Sequence, residues 1–305
     1  MERIDFHGWQ AFRLSNDLVE LIAVISVGPR ILHFGLAGCE NELYLDPQDL
    51  GKSGGEEYRF YGGHRLWHAP EAIPRTYVPD NRPVQAEEAG GALRLIQPAE
   101  PGTGIQKEME IRLVPGQPRA EILHRLRSTG LWPVELAAWA ITQLAPGGAA
   151  LLPFPPPRPH GPDNLLPDRS LNLWSYTELS DPRLSFHPRA VLLRQDPSVR
   201  SDIKLGAQNR LGWAAYFNRG RVFIKRASRH QDHLPYPDRG SSVELFANQT
   251  FLEIETLGPL VRLEPGQALE HRETWLLAQF DQPADPAGDL PGLLERIEAF
   301  LKQQE

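Results

Sequence analysis

Short apolar runs, rich in β-branched residues and cut apart by proline or glycine at roughly 8–12-residue intervals, leave this chain few options besides stacked β-sheets. Residues 19–26 and 30–34 are two such runs, separated by Gly28-Pro29, and read as strand, turn, strand. Residues 105–113 (IQKEMEIRL) alternate apolar and polar, the pattern of a strand buried on one face. Runs of similar character recur at 91–96, 120–129, 134–144, 211–217, 221–227, 242–247, 251–256 and 270–280. The 29 prolines and 26 glycines among 305 residues stay below the ~25–30% that marks a low-complexity chain. They punctuate strands instead. Between 145 and 169 the prolines crowd together, and strand-like runs resume on both sides, so an ordered excursion is expected there rather than a linker. A helix is expected only at about 290–302, where Leu293, Leu294, Ile297, Phe300 and Leu301 form an apolar stripe behind Asp289 and Pro291. The expected fold is one all-β domain over residues 1–305, closed by that short C-terminal helix.

Several function classes fall away on charge and composition. The net charge of −7 gives no electrostatic footprint for nucleic acid or an anionic membrane. No stretch nears the ~18 apolar residues of a spanning helix, and the N-terminus carries no secretory signal pattern. A single Cys39 excludes an intrachain disulfide and a cysteine-cluster zinc site, so a reducing cytoplasm is the expected address. No Gly-x-Ser-x-Gly elbow, P-loop, dinucleotide fingerprint or His-Glu-x-x-His motif is present.

Two constellations carry chemistry. The first, Tyr61-Gly62-Gly63-His64-Arg65-Leu66-Trp67-His68-Ala69-Pro70-Glu71, sets aromatic and ionisable side chains behind a pliable Gly-Gly. Flat aromatic faces and multidentate polar groups suit a sugar, which offers apolar C–H faces and a ring of hydroxyls. A structural loop with a packed tryptophan remains an alternative. A metal held by His64, His68 and Glu71 is a weaker one, because Gly-Gly and Pro70 oppose the helix that His-x-x-x-His spacing suits. The second constellation is residues 243–256. An Asn248-Gln249 hairpin turn would set Glu244 opposite Glu253 and Phe246 opposite Phe251, with Glu255 on the same face. Three carboxylates on one face repel, so arginines, a cation, a raised pKa or solvent must offset them. Lys225, Arg226, Arg229 and Arg239 are the basic residues at hand; a solvated outer face is the plainer reading. Trp139, Trp174 and Trp275 are expected in the core.

With those residues in view, the chain resembles the galactose mutarotase-like superfamily, the aldose 1-epimerase relatives, over most of its length. The resemblance rests on residues 27–31 (VGPRI), on Gly62-Gly63-His64-Arg65-Leu66-Trp67 in the place of the family's Gly-Gly segment, and on 251–256 (FLEIET) followed by 263–267 (LEPGQ). It implies a β-supersandwich with a sugar cleft and a Glu–His pair working by general acid–base catalysis at the anomeric centre, without cofactor or metal. By position Glu255 matches the base, with Glu253 next. The mid-chain strand that often carries the family's histidine reads Ala138-Trp139-Ala140-Ile141-Thr142 here, so His68, or else His64, is expected as the acid. Arg65, Trp67, Glu71, Arg30, Glu253 and Glu244 are expected to bind substrate. A silent carbohydrate binder on the same scaffold is the alternative. The sequence leaves the sugar, its phosphorylation and the oligomeric state open.

Overall fold

The computed structural model describes residues 1–280 and 288–304. In chain order its strands are β1 (Glu2–Phe6), β2 (Trp9–Ser15), β3 (Val19–Val24), β4 (Arg30–Leu36), β5 (His64–Ala69), β6 (Gln85–Ala89), β7 (Ala92–Ile96), β8 (Ile105–Leu113), β9 (Arg119–Ser128) and β10 (Val134–Leu144). Then come β11 (Ala149–Pro153), β12 (Leu171–Leu173), β13 (Leu184–His187), β14 (Ala190–Arg194), β15 (Ile203–Ala207), β16 (Trp213–Asn218), β17 (Arg221–Arg226), β18 (Val243–Ala247), β19 (Leu252–Leu257), β20 (Val261–Leu263) and β21 (Ala268–Gln279). All neighbouring strands pair antiparallel. One sheet runs β1-β2-β3-β4-β5-β10-β19-β18-β15-β12, with β20 also pairing β10. The other runs β13-β14-β11-β16-β17-β21-β9-β8-β7-β6. The fold is the expected all-β sandwich of galactose mutarotase-like type.

Alternation along the strands explains the stacking. Leu21, Ile31, Val243, Leu245 and Ile254 of the first sheet meet Leu93, Met109, Ile122, Phe223, Trp275 and Leu277 of the second in one buried layer. Many strands are buried on both faces, so their sequences read as near-continuous apolar runs. The second sheet's outer face carries Leu151, Leu192, Phe217, Val222 and Leu276, and the C-terminal helix (Leu290–Gln303) covers it with Leu290, Leu293, Leu294, Ile297 and Leu301. The first sheet's outer face has no such helix across its middle, and the cleft described below lies there.

The Pro-rich stretch leaves β11 and returns at β12, which pairs with β15 at the far edge of the first sheet. It carries no strand of its own beyond a single bridge between Gly161 and Asn164. The Gly-Gly segment holds the main difference from the sequence reading. His64–Ala69 is not a loop but an interior strand, pairing β10 along its length and β4 at Arg30 and Ile31. Gly62 and Gly63 make the entry to it possible. Both have positive φ (91° and 65°), and a Cβ would lie 2.3 Å from the Tyr44 carbonyl oxygen at Gly62 and 2.2 Å from that of Ile31 at Gly63.

The helix stripe sets a prediction. Leu293 is fully buried, and Leu293→Ala should cost about 2–5 kcal/mol by lost burial plus a cavity. Exposed Lys302→Ala on the same helix should change stability little. Urea unfolding of both variants checks this; equal, small effects would mean that the helix is not docked.

Candidate functional site

The register across β5, β10, β19, β18 and β15 decides which side chains share a face. Arg65 stands opposite Ile141, which stands opposite Glu255; Trp67 stands opposite Trp139; Gln143 stands opposite Glu253. Glu255 then faces Glu244 across β18, Glu253 faces Phe246, and Phe246 faces Lys204 on β15. The outward face therefore reads Arg65, Trp67, Trp139, Ile141, Gln143, Glu253, Glu255, Glu244, Phe246 and Lys204. Of these, Arg65, Trp67, Trp139, Ile141, Glu253, Phe246 and Lys204 line a cavity of about 550 Å³, walled also by Tyr44, Phe60, Glu71, Tyr77, Tyr176 and Asp202, whereas Gln143 and the expected site residues Glu244 and Glu255 are fully buried and do not line it.

The charges on this floor are paired. The Lys204 ammonium lies 2.8 Å from Glu244 Oε2 and 2.9 Å from Glu255 Oε2, and it sits between the rings of Trp139 and Trp174 at 4.8 and 4.7 Å. Trp139 Nε1 donates to the same Glu255 oxygen at 2.6 Å. Burial pulls against the ammonium, but Glu255 and Glu244 outweigh it and hold Lys204 protonated well above its ordinary range. Glu244, fully buried, is driven well above the usual carboxylate range by desolvation, despite Lys204. Glu253 is also raised by burial; its Oε1 accepts from Gln143 Nε2 at 2.8 Å and from Arg65 Nη2 at 3.3 Å. Arg65 lies 4.5 Å from the Trp67 ring and 5.5 Å from the Phe60 ring, and its Nε and Nη1 have no partner in the protein.

The hairpin turn differs from the sequence reading by two residues of register. Ala247 pairs with Leu252, and Gln249-Thr250 form the tip, where the Asn248 side chain accepts from the backbone N–H of Thr250 and Phe251. An even slip preserves the face, so the carboxylates still lie together, but Glu244 opposes Glu255 rather than Glu253. Their cationic partners are also different. Lys204 and Arg65 offset them, whereas Lys225 lies on the opposite side of the sheet layer.

Both histidines expected in the cleft are absent from it. They occupy the alternate positions of β5 and point into the sandwich. His64 Nδ1 is 2.9 Å from Thr142 Oγ1, and its Nε2 is 2.8 Å from His124 Nε2. His68 is buried with Nε2 3.6 Å from Glu100. Neither shares a face with Glu255, and the trio His64, His68 and Glu71 is split, since Glu71 lines the cleft. Arg30 is fully buried and does not line the cavity either. It is clamped by Asp80 at 3.0 Å and donates to the Phe60 carbonyl at 2.6 Å, so it fixes the cleft wall from behind. Lys204, Gln143, Tyr44, Phe60, Tyr77 and Tyr176 were not singled out from the sequence. Trp139, expected in the core, is a cleft residue, and Trp174 covers Lys204; Trp275 is in the core.

Between the sheets lies a second charged cluster. Lys225 Nζ is 2.9 Å from Glu273 Oε1 and donates to Thr142 Oγ1 and to the carbonyls of Ala140 and Ile254 at 2.9–3.1 Å. His124 Nδ1 meets the His271 carbonyl at 3.0 Å, which accepts only, so that nitrogen carries the proton. His124 Nε2 is then an acceptor, His64 Nε2 the donor to it, and His64 Nδ1 the acceptor from Thr142. His64, His124 and Glu273 each bring a ligand atom within 4.8 Å of the others, a spacing open to a metal. The proton order already satisfies both imidazoles, and the Lys225 ammonium already neutralises the carboxylate. The cluster reads as an ion-paired network.

No family model matches the sequence, and no curated protein matches it. Solved structures do match in fold. A galactose mutarotase-like protein from Lactobacillus casei superposes with a TM-score of 0.56 at 9% identity, covering 88% of this chain and 100% of that one. A galactose mutarotase related enzyme from Lactobacillus acidophilus gives 0.50 at 9%, covering 89% and 98%. A TPR-domain containing protein from Parabacteroides distasonis gives 0.59 at 16%, covering 91% of this chain but 48% of that one, so this chain spans about half of that protein. The fold is galactose mutarotase-like.

The buried imidazoles set the acid limit of the fold. Desolvation lowers His64 and His124, and His271 falls to about 4. An unfolded histidine takes up its proton near pH 6.5, whereas these stay neutral, so the unfolded state binds more protons and stability drops as pH falls from about 6.5 towards 4. Glu244 and Glu253, with raised values, act in the opposite sense, losing stability as pH rises above about 4.5. The difference between variants isolates the histidine part: the fall in Tm between pH 7 and 5 should be smaller in His271→Asn than in the parent. An unchanged pH slope in that variant would show that His271 is not held neutral.

Proposed function

We propose that this chain is a carbohydrate-binding protein whose ligand lies on the outer face of the first sheet. The observation that supports this reading is the pairing of an aromatic wall with a pre-ordered polar floor. Trp67, Trp139, Phe60 and Tyr77 line the cavity with aromatic surface suited to the C–H groups of a sugar ring, Phe60 being the most exposed of the four. Beneath them, the two unpartnered nitrogens of Arg65 and the oxygens of Glu253 stand ready for hydroxyls. The cavity volume is that of a small-molecule site. The mutarotase names of two of the neighbours agree with a sugar ligand, which for this chain rests on the cleft's own chemistry.

One observation favours a second reading, turnover at the anomeric centre. Glu253 lines the cavity with its proton affinity raised by burial, as a general base for neutral pH needs. Glu255, the base expected from the resemblance, has one oxygen tied to both Trp139 and Lys204 and lies fully buried. In this reading Glu253 would take the anomeric hydroxyl proton while an acid protonates the ring oxygen as its bond to C1 breaks, and reclosure of the aldehyde on the other face would return both protons. The partner acid is the weak point. No histidine lines the cavity among the described residues, and Lys204, held protonated by two carboxylates, gives up its proton reluctantly. The geometry therefore favours recognition over turnover.

A panel of neutral monosaccharides, titrated by NMR and calorimetry, tests both readings. The expected result is saturable binding of at least one sugar, weakened about fivefold in Trp67→Ala, in keeping with ~1 kcal/mol from one aromatic face. Fresh anomers of the bound sugar should interconvert at the uncatalysed rate. Acceleration that disappears in Glu253→Gln would replace the binding reading with the enzymatic one, by loss of about 10²–10⁴-fold in rate. No saturable binding across the panel would overturn both.

A further inference from the structure

A larger cavity, of about 770 Å³, opens behind β5, on the side away from the cleft floor. Its walls are mostly apolar: Pro79, Pro101, Ile105, Val134 and Leu136. Tyr77 separates it from the first cavity and lines both. Of its polar lining residues, which include Glu56, Thr103 and Tyr77, His68 and Arg75 carry buried nitrogens without a hydrogen bond. His68 is 1% exposed, and among the described residues its ring nitrogens make no hydrogen bond within 3.5 Å, the nearest group being Glu100 Oε2 at 3.6 Å from Nε2. Arg75 gives one Nη2 bond to the Pro70 carbonyl, but its Nε is buried with no partner. Buried donors are left empty only rarely, because each costs the desolvation of the group.

The neighbouring carboxylate does not fill the gap. Glu100 lies 3.6 Å from His68 Nε2, yet its Oε1 is 2.6 Å from Lys107 Nζ and its Oε2 accepts from Thr103 at 2.6 Å. That anion is already neutralised, and it falls to about 2: burial pulls it up, but the Lys107 ammonium, the adjacent His68 ring and the Thr103 hydroxyl overcome this. Glu56 at the rim is exposed and pairs with Arg82 at 3.2 Å. The wall thus offers an unused guanidinium N–H and an imidazole beside it, with no unpaired anion facing them.

We propose that this cavity is a second binding site, for a small monocarboxylate with an apolar body. The carboxylate would accept from Arg75 Nε and from the His68 ring, and the body would displace water from the proline- and leucine-lined walls. A single charge fits better than a phosphate dianion, since Arg75 is the lone uncompensated cation among the groups named here.

The probe is 2-naphthoate, with neutral 2-naphthamide as its isosteric control, each titrated into the whole protein by ligand-observed NMR. Naphthoate should saturate below millimolar concentration and the amide should bind at least tenfold more weakly. Arg75→Gln and His68→Leu should each weaken naphthoate by tenfold or more. His68→Leu also separates binding from structure: it removes an unsatisfied buried polar group, so the variant should lose the ligand without lowering Tm. The proposal is overturned by absence of saturable naphthoate binding, by equal affinity for acid and amide, or by unchanged affinity in both variants. A fall in Tm in His68→Leu with unchanged naphthoate affinity would likewise make His68 structural.

Discussion

The ion pair of Lys225 with Glu273 holds the two sheets together at the point where the cleft needs support. Both side chains are fully buried between the layers. Lys225 comes from the second sheet and reaches the carbonyls of Ala140 and Ile254 in the first, on β10 and β19. Those strands carry Trp139, Ile141, Glu253 and Glu255 on their other face. One ammonium thus fixes, from behind, the backbone that floors the cavity. Glu273 also accepts from Thr256 and, at 2.9 Å, from Trp275 Nε1. Removing one partner of such a pair typically costs ~3–5 kcal/mol, because the other charge is left buried alone. The histidines around it are held neutral chiefly by desolvation, to which the Lys225 charge adds.

Strand alternation then sorts the chemistry into two compartments. On β5, Arg65 and Trp67 go to the cleft, and His64 and His68 go to the interior. The odd positions line the cleft, and the even ones join the network between the sheets and the rear cavity. A motif that looks like one dense site in sequence becomes two sites on opposite faces of one strand.

This accounts for what could be read from the sequence and what could not. The sandwich, the helix at its end and the clustered carboxylates were legible because each rests on local periodicity. The split of the histidines was not, because residues 64–69, set between Gly-Gly and Pro70, read as one dense motif and not as a strand; read as a strand, the period of two would have separated them. Lys204 was missed for a related reason. Residues 203–207 (IKLGA) form too short a run to stand out, and a lysine in such a run gives no sign of facing inward. Arg30 carried a signal in Gly28-Pro29-Arg30, but its partner Asp80 lies fifty residues on, and nothing in the spacing links them.

Lys204 also explains how Glu244 and Glu255 can stand directly opposite each other across β18 and β19. Like charges in that position destabilise a ladder, yet a single ammonium lies within 2.9 Å of both, and two indole rings flank it. Gly206, opposite Glu244, keeps the spot open: a Cβ there would lie 2.3 Å from Ser241 Oγ and 3.3 Å from the Glu244 side chain. A floor built this way is already desolvated and already oriented before any ligand arrives. Such a pre-ordered arrangement lowers the reorganisation that any ligand of the cleft would have to overcome. The same pairing ties one Glu255 oxygen to Trp139 and Lys204 below the cavity, whereas Glu253, held on one oxygen by Gln143 and Arg65, lines the cavity itself.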